Sequence, residues 1–95
     1  RMITIWPNEV VADARGVRIF GTLRGVFSTY RVEIGKGREP REWQAVGNPS
    51  SDPVDQGLIV RIPAEQLKGI KQGVVRITAE SKAGVKKIAE VPINL

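Results

Sequence analysis

Apolar and polar residues alternate in short runs along this chain, and glycine, proline, asparagine and aspartate separate the runs. A period of two places successive side chains on opposite faces of the backbone, which is typical of a half-buried β-strand. The pattern predicts seven strands. They are residues 2–6, 17–23, 27–35, 42–46, 58–62, 74–81 and 85–95.

The segments between these runs carry turn signals. Residues 9–16 hold a short extended piece and then a turn, and residues 47–57 form a loop with two prolines and two glycines. Residues 64–70 are the one helix-like stretch, and they are too short for more than a turn or two. Short strands with a turn about every 8–12 residues predict an all-β sandwich or small barrel.

The alternation also assigns faces. One side of each strand is apolar and predicts the core, while the arginines in mid-strand predict the solvent side, where their stems cover the sheet. We expect residue 7, a proline, to end the first strand. The predicted core residues are Val17, Ile19, Tyr30, Val32, Ile34, Leu58, Val60, Ile62, Val75, Ile77, Ala79, Ala89, Val91, Ile93 and Leu95.

Composition narrows the classes of function. The chain has 95 residues, which predicts a single domain over residues 1–95. It has no cysteine and no histidine, which removes disulfides, cysteine-ligated zinc and the commonest general base. We therefore expect a protein that is not an enzyme and has no cofactor. Because the chain opens on Arg1 rather than Met, we expect a processed chain or an excised piece.

The formal net charge is +5, which favours acidic partners such as nucleic acid, anionic lipid or anionic cell-wall polymer. The charges are dispersed and form no basic stripe, so we favour an ordinary soluble surface and expect no nucleic-acid partner. No apolar run approaches the roughly 20 residues of a membrane span. We expect no membrane span.

The segment YRVEIGKGREPREW, residues 30–43, has two interpretations. Its Gly35-Lys36-Gly37-Arg38 stretch resembles a phosphate-binding loop, with backbone N–H groups and two cations. A P-loop, however, needs a longer spacing that leads into a helix. Here the glycines follow a strand and precede Pro40, so the topology favours a turn between two strands.

The chain then shows a family likeness. The segments VRIFGTL, YRVEIGKGREPREW, VDQGLIVRIPAEQL and GVVRITAESKAG follow one another in this order. This order resembles bacterial extracellular immunoglobulin-like or fibronectin type III-like modules, which are appended to cell-wall glycosyltransferases and surface proteins. The strongest matches are Tyr30, Glu33, Gly35, Gly37, Pro40 and Trp43. The family's tyrosine in the sixth strand is replaced here by Val74 and Val75.

The resemblance implies an immunoglobulin-like sandwich of about seven strands and a location outside the cell or on a bacterial surface. It implies a binding or spacing role without catalysis, and it transfers no functional residue. We expect a structural or interaction module of a surface, secreted or filamentous assembly, in contact with a protein partner or with copies of itself. The alternative is an accessory domain that binds cell wall or glycan.

Three groups of residues are candidate sites. Phe20 and Ile59 fall on the solvent side of strands that are neighbours in such a fold, and with Val11 they make a candidate protein interface. A bulge that turns Phe20 inward is the equally favoured alternative. Lys36, Arg38 and Trp43 are candidates for polymer binding, with Trp43, Tyr30 and Phe27 as a stacking platform, although core packing explains these aromatics better.

The third group is Asp52 and Asp55, which fall in the predicted loop 47–57. Carboxylates and loop carbonyls are the ligands of calcium, which takes six to eight oxygens. Two carboxylates are few, and aspartate is an ordinary turn residue, so we expect a turn and no metal.

Overall fold

A computed structural model, which describes residues 2–95, shows a sandwich of two antiparallel β-sheets. The three-stranded sheet has the order β1-β2-β5, and the four-stranded sheet has the order β4-β3-β6-β7. The strands are β1 (Ile3–Asp13), β2 (Gly16–Gly25), β3 (Thr29–Lys36), β4 (Gln44–Ala45), β5 (Val54–Pro63), β6 (Gln72–Glu80) and β7 (Lys86–Asn94). The predicted all-β sandwich of seven strands is confirmed.

The helix-like stretch forms a 3-10 turn over Ala64–Leu67. Its Gln66 side chain donates a hydrogen bond to the carbonyl of Ala45 at 2.7 Å, which connects the turn after β5 to β4 in the other sheet. Within residues 2–95, no helix has the length and apolarity that crossing a membrane requires.

The first strand is longer than predicted, because it continues through Pro7 and Asn8. The register with β2 shifts between Pro7 and Glu9, so Asn8 is the extra residue of a β-bulge. A bulge on an edge strand accommodates proline, since the missing N–H costs no ladder bond there. The prediction that Pro7 ends the strand is therefore wrong.

The fifth strand begins at Val54, inside the segment predicted as a loop. Val54 pairs with Leu23 and Gly57 pairs with Gly21, which adds four residues to the strand. The backbone N–H of Gln56 donates to the Thr22 hydroxyl at 3.2 Å. A side-chain acceptor thus substitutes for a backbone acceptor where the register is irregular.

The core lies between the inner faces of the two sheets, as the alternation predicts, although Leu95, which it also assigns to the core, is 49 % exposed. The largest fully buried side chains come from both sheets, so neither sheet is stable without the other. They are Val17, Ile19, Leu23, Ile34, Ile62, Val75 and Ile77. On the outer faces, Arg18, Arg31, Arg61 and Arg76 are all at least partly exposed, which confirms the predicted solvent side.

A second bulge reverses the predicted faces of two neighbouring residues on β5. Ile19 pairs with Val60 and Phe20 pairs with Leu58, so Ile59 is the extra residue. Both Ile59 and Val60 then point into the core, and Leu58 turns outward. The predictions that Leu58 is buried and that Ile59 faces solvent are wrong. The Tyr30 hydroxyl lies 3.4 Å from the Ile59 carbonyl and donates to it across the sandwich.

The loop after β3 folds back over the outer face of the four-stranded sheet. A Cβ on Gly35 would lie 2.3 Å from the Cβ of Pro40, so only glycine leaves room for this proline. Gly37 has a φ of +90° and its N–H donates to the Gln72 carbonyl at 2.7 Å. These glycines therefore shape a turn, and the N–H of Gly37 is already engaged within the fold.

Trp43 at the end of this loop does not cover the core. Its ring centre lies 3.8 Å from the guanidinium carbon of Arg76, which contacts Glu33 at 3.3 Å. Because Arg76 projects from the outer face of β6, the tryptophan is stacked on the outside of the sheet. The interpretation of Trp43 as a core-packing residue is therefore wrong.

Candidate protein-binding surface

Four apolar residues lie together on the outer face of the three-stranded sheet, and we call them the outer patch: Trp6, Val11, Phe20 and Leu58. Directly opposed residues in an antiparallel pair project from the same face. Phe20 is opposite Leu58, and Trp6 is opposite Thr22, two residues along β2 from Phe20. The patch therefore crosses all three strands of the sheet.

The outer patch is open to solvent. Trp6 is 62 % exposed and Leu58 is 41 % exposed, while Phe20 and Val11 are half-buried. None of the four belongs to the core cluster or packs against it. Apolar side chains that cluster on an outer face, rather than occurring singly, mark sites of protein contact.

Charged groups border the outer patch on the side of the β1–β2 turn. The Arg18 guanidinium carbon lies 5.8 Å from the centre of the Phe20 ring and also contacts the Asp13 carboxylate at 3.2 Å. The backbone N–H of Arg15 donates to Asp13 at 2.9 Å; this bond, together with the Arg18 and Arg15 charges, lowers the pKa of the Asp13 carboxyl. Glu9 is opposite Phe20 and projects from the same face, so charged residues lie within the outer patch as well as beside it.

Two of the three predicted interface residues lie on this surface. Phe20 and Val11 lie there, but Ile59 is 6 % exposed and belongs to the core. Sequence reasoning missed Trp6 and Leu58. Trp6 had a usable signal, because it alternates with Ile3 and Ile5 in a strand whose inner face those residues define. Leu58 had none, because residues 58–60 are all apolar.

The candidate polymer-binding residues do not form a platform. Lys36 at the end of β3 and Arg38 in the following loop are both exposed. Trp43 is stacked under Arg76 on the outer face, whereas Tyr30 is buried in the core between the sheets. A sheet therefore separates the two aromatic rings, and they cannot stack on one ligand.

Asp52 and Asp55 act as ordinary turn and strand residues. The backbone N–H of Asp52 donates to the Ser50 hydroxyl at 3.1 Å, and Asp55 is part of β5. Among residues 2–95, histidine, cysteine, aspartate and glutamate nowhere form a group of three or more that suits a metal ion.

A groove opens at the end of the sandwich where β1 and β7 begin, and we call it the end groove. Its apolar walls are formed by Met2, Ile3, Val26, Phe27 and Val85. Lys82, Lys86 and Lys87 line it as well, and its volume is about 730 Å³. The surface thus offers two features, a flat apolar patch and a groove with a basic rim.

No protein-family model, curated protein or solved structure matches this chain.

Proposed function

We propose that this domain is a non-enzymatic association module, a structural or interaction part of a bacterial cell-surface, secreted or filamentous assembly. The observation that carries the proposal is the outer patch, in which an exposed tryptophan and leucine lie on an otherwise polar sheet face. Tryptophan is among the residues most enriched at the energetic centres of interfaces. The bacterial and extracellular setting comes from the resemblance of residues 16–84 to immunoglobulin-like modules.

The strand order supports an immunoglobulin-like form of the sandwich. The first, second and fifth strands share one sheet, and the third, sixth and seventh share the other. Strands A, B and E and strands C, F and G are divided in the same way in immunoglobulin domains. The short β4 lies beside β3, so the sheets contain three and four strands.

The outer patch is large enough to support association. A tryptophan side chain buries about 150–250 Å² when covered. Because Trp6 is 62 % exposed, covering the rest of it removes about three-fifths of that area and contributes about 2–4 kcal/mol at about 25 cal/mol per Å², before the cost of immobilising the two partners. Phe20 and Leu58 extend the contact over the neighbouring strands, so copies of the domain are expected to associate through this face.

Sedimentation equilibrium tests the proposal. We expect the wild-type protein to self-associate as its concentration rises, and a Phe20→Ser/Leu58→Ser double variant to weaken this association at least about tenfold, the equivalent of 1.4 kcal/mol. The matched control is Ile88→Ser, because Ile88 is 53 % exposed on the outer face of the other sheet. Equal association of the double variant and the wild type would refute a role for the patch.

Binding to an anionic cell-wall polymer or glycan is the second candidate. It is favoured by the six lysines, which are all exposed and take part in none of the ion pairs found among residues 2–95. Attraction of this kind is screened by salt. Pull-down on purified cell wall should weaken steeply across a salt series, and retention that does not depend on salt would contradict a charge-driven mode.

A further inference from the structure

The end groove exposes apolar side chains that the fold leaves uncovered. Met2 is 76 % exposed and Val85 is 62 % exposed, and both line the groove together with Phe27. Phe27 packs edge-on against Tyr30, with ring centres 6.1 Å apart, and so connects the groove to the core. The groove is therefore a break in the sandwich at the end where β1 and β7 begin, and an apolar side chain placed in it would extend the core.

The backbone of β1 points hydrogen-bonding groups toward this break. The N–H of Val26 donates to the Met2 carbonyl, which makes Met2 and Val26 a hydrogen-bonded pair. Such pairs alternate along an antiparallel ladder. The N–H and C=O groups of Ile3 and Ile5 consequently point away from β2, toward the open edge.

The backbone of β7 does the same on the other side. The N–H of Ser81 donates to the Val85 carbonyl at 2.9 Å, and the N–H of Leu95 donates to the Lys71 carbonyl at 2.7 Å. By the same alternation, Lys86, Ile88 and Glu90 direct their N–H and C=O groups away from β6. β1 and β7 are not hydrogen-bonded to each other.

Proline limits both open edges. Pro92 falls on the same alternation as Ile88 and Glu90, so its missing N–H removes a donor from the open edge of β7. Pro7 has the same relation to Ile3 and Ile5 on β1. The stretch that remains available for pairing is the one that borders the end groove. Prolines at such positions are a common protection of sheet edges, and here they leave one end unprotected.

The charge of the end groove defines the occupant further. Lys82, Lys86 and Lys87 line the groove, and none of them is paired with an acidic residue among those described. Two copies paired antiparallel through β7 about Ile88 would place Lys86 opposite Glu90, but they would leave Lys82 and Lys87 without an acidic partner. An acidic partner satisfies the lysines, and an extended one satisfies the open backbone groups.

We propose that the end groove binds an extended segment of a partner protein in which apolar and acidic side chains alternate, and that this segment pairs with β7 along residues 86–88, before the acidic Glu90. The mode is β-strand addition, in which main-chain hydrogen bonds supply affinity and side-chain pockets supply specificity. Alternation lets the apolar side chains enter the groove between Ile3 and Phe27. This inference rests on the proposed association function and names the chemistry of a partner.

A titration with two blocked peptides tests the groove. One peptide alternates valine and glutamate, and the other alternates valine and lysine. We expect the glutamate peptide to shift the NMR signals of the Lys86 and Ile88 amides and to slow their hydrogen exchange. The lysine peptide should leave both amides unchanged. No binding of the glutamate peptide, or equal binding of the two, would overturn the proposal.

Variants of Ile88 test whether the peptide pairs with β7 through main-chain hydrogen bonds or only contacts its side chains. Ile88→Pro removes an N–H that points to the open edge and breaks no bond to β6, as Pro92 already demonstrates. We expect this change to lower the affinity for the glutamate peptide at least about tenfold. Ile88→Val keeps the N–H and should bind the peptide with the affinity of the wild type. Unchanged binding by Ile88→Pro would show that β7 does not pair with the peptide.

Charge variants test the basic rim. We expect Lys86→Glu/Lys87→Glu to abolish measurable binding of the glutamate peptide. Lys36→Glu/Lys71→Glu makes the same change of net charge outside the end groove. Because salt screens distant charges, this variant should bind the glutamate peptide with an affinity within about twofold of the wild type. Equal losses in both double variants would reduce the interaction to non-specific attraction and overturn the proposal.

A variant of the outer patch distinguishes failure of the groove proposal from failure of the proposed function. The Phe20→Ser/Leu58→Ser variant should bind the glutamate peptide as the wild type does, because its substitutions lie outside the end groove. Self-association without peptide binding would refute the groove and leave the patch standing. Movement of the Lys86 and Ile88 amides on concentrating the protein alone would assign the groove to a second copy and overturn the proposal.

Discussion

Replacing Ile59 with alanine is expected to lower the free energy of unfolding by about 3 kcal/mol, whereas the same change at Leu58 lowers it by less than about 1 kcal/mol. Ile59 lies in the core, and truncating it leaves a cavity between the sheets. Leu58 is exposed on the outer patch, where little contact is lost. Both residues are aliphatic neighbours on one strand, so each variant is the control for the other.

Urea denaturation of the two variants measures this difference. Unbroken alternation along β5 would give the opposite order. A large loss of unfolding free energy in Leu58→Ala and a small loss in Ile59→Ala would therefore contradict the β5 bulge. Equal losses would mean that neither face of β5 is well defined. The comparison matters for function, because the bulge is what brings Leu58 beside Phe20 on the outer patch.

Replacing Gly21 with alanine is expected to cost about 3 kcal/mol of stability, the upper end of the usual cost of overpacking. A Cβ at this position would lie 2.1 Å from the carbonyl oxygen of Trp6 and 2.7 Å from the Cα of Pro7. Both are backbone atoms, so relief requires β1 to move off the sheet. That movement would also carry Trp6 away from Phe20.

Gly57 is the matched control for Gly21. The two glycines face each other across β2 and β5, and neither has a positive φ. The nearest atom to a Cβ on Gly57 is a side-chain carbon of Val54 at 3.4 Å, an ordinary contact. We expect Gly57→Ala to change the unfolding free energy by less than about 1 kcal/mol. A tolerated Gly21→Ala would show that β1 does not approach β2 so closely at Pro7.

Alternation was a good guide wherever an apolar residue has polar neighbours. Val17 and Ile19 flank Arg18, and Val75 and Ile77 flank Arg76, so the phase of these strands was unambiguous. The run Leu58-Ile59-Val60 offered no such contrast. A single inserted residue then decides which side chain is buried, and neither propensity nor period predicts where that insertion falls.

Pro7 and the loop around Trp43 illustrate a second limit. Pro7 reads as a strand breaker until the strand is known to be an edge with a bulge, which is a property of the whole sheet. Trp43 was assigned to the core because a small domain needs buried aromatic area. Its place on Arg76 depends on the loop passing over Gly35, a packing relation between distant segments.

The candidate surfaces were only partly predictable for the same reason. Phe20 was found from its phase, whereas the β5 bulge turns Leu58 out beside it and the β1 bulge brings Val11 to the same face as Trp6. The end groove depends on three segments that are remote in sequence: the start of β1, the β2–β3 connection and the β6–β7 turn. Its open backbone groups follow from hydrogen-bond alternation, which requires the pairing register to be known.

The two tryptophans allow a direct measurement of the central claim, that the domain associates through the outer patch. Trp6 lies in the patch, and Trp43 is stacked on Arg76 on the opposite sheet, so each indole N–H signal reports on one face. In a dilution series followed by NMR, we expect the Trp6 indole signal to move with protein concentration while the Trp43 signal stays fixed. Two fixed signals up to millimolar concentration, or movement of Trp43 alone, would contradict association through this surface.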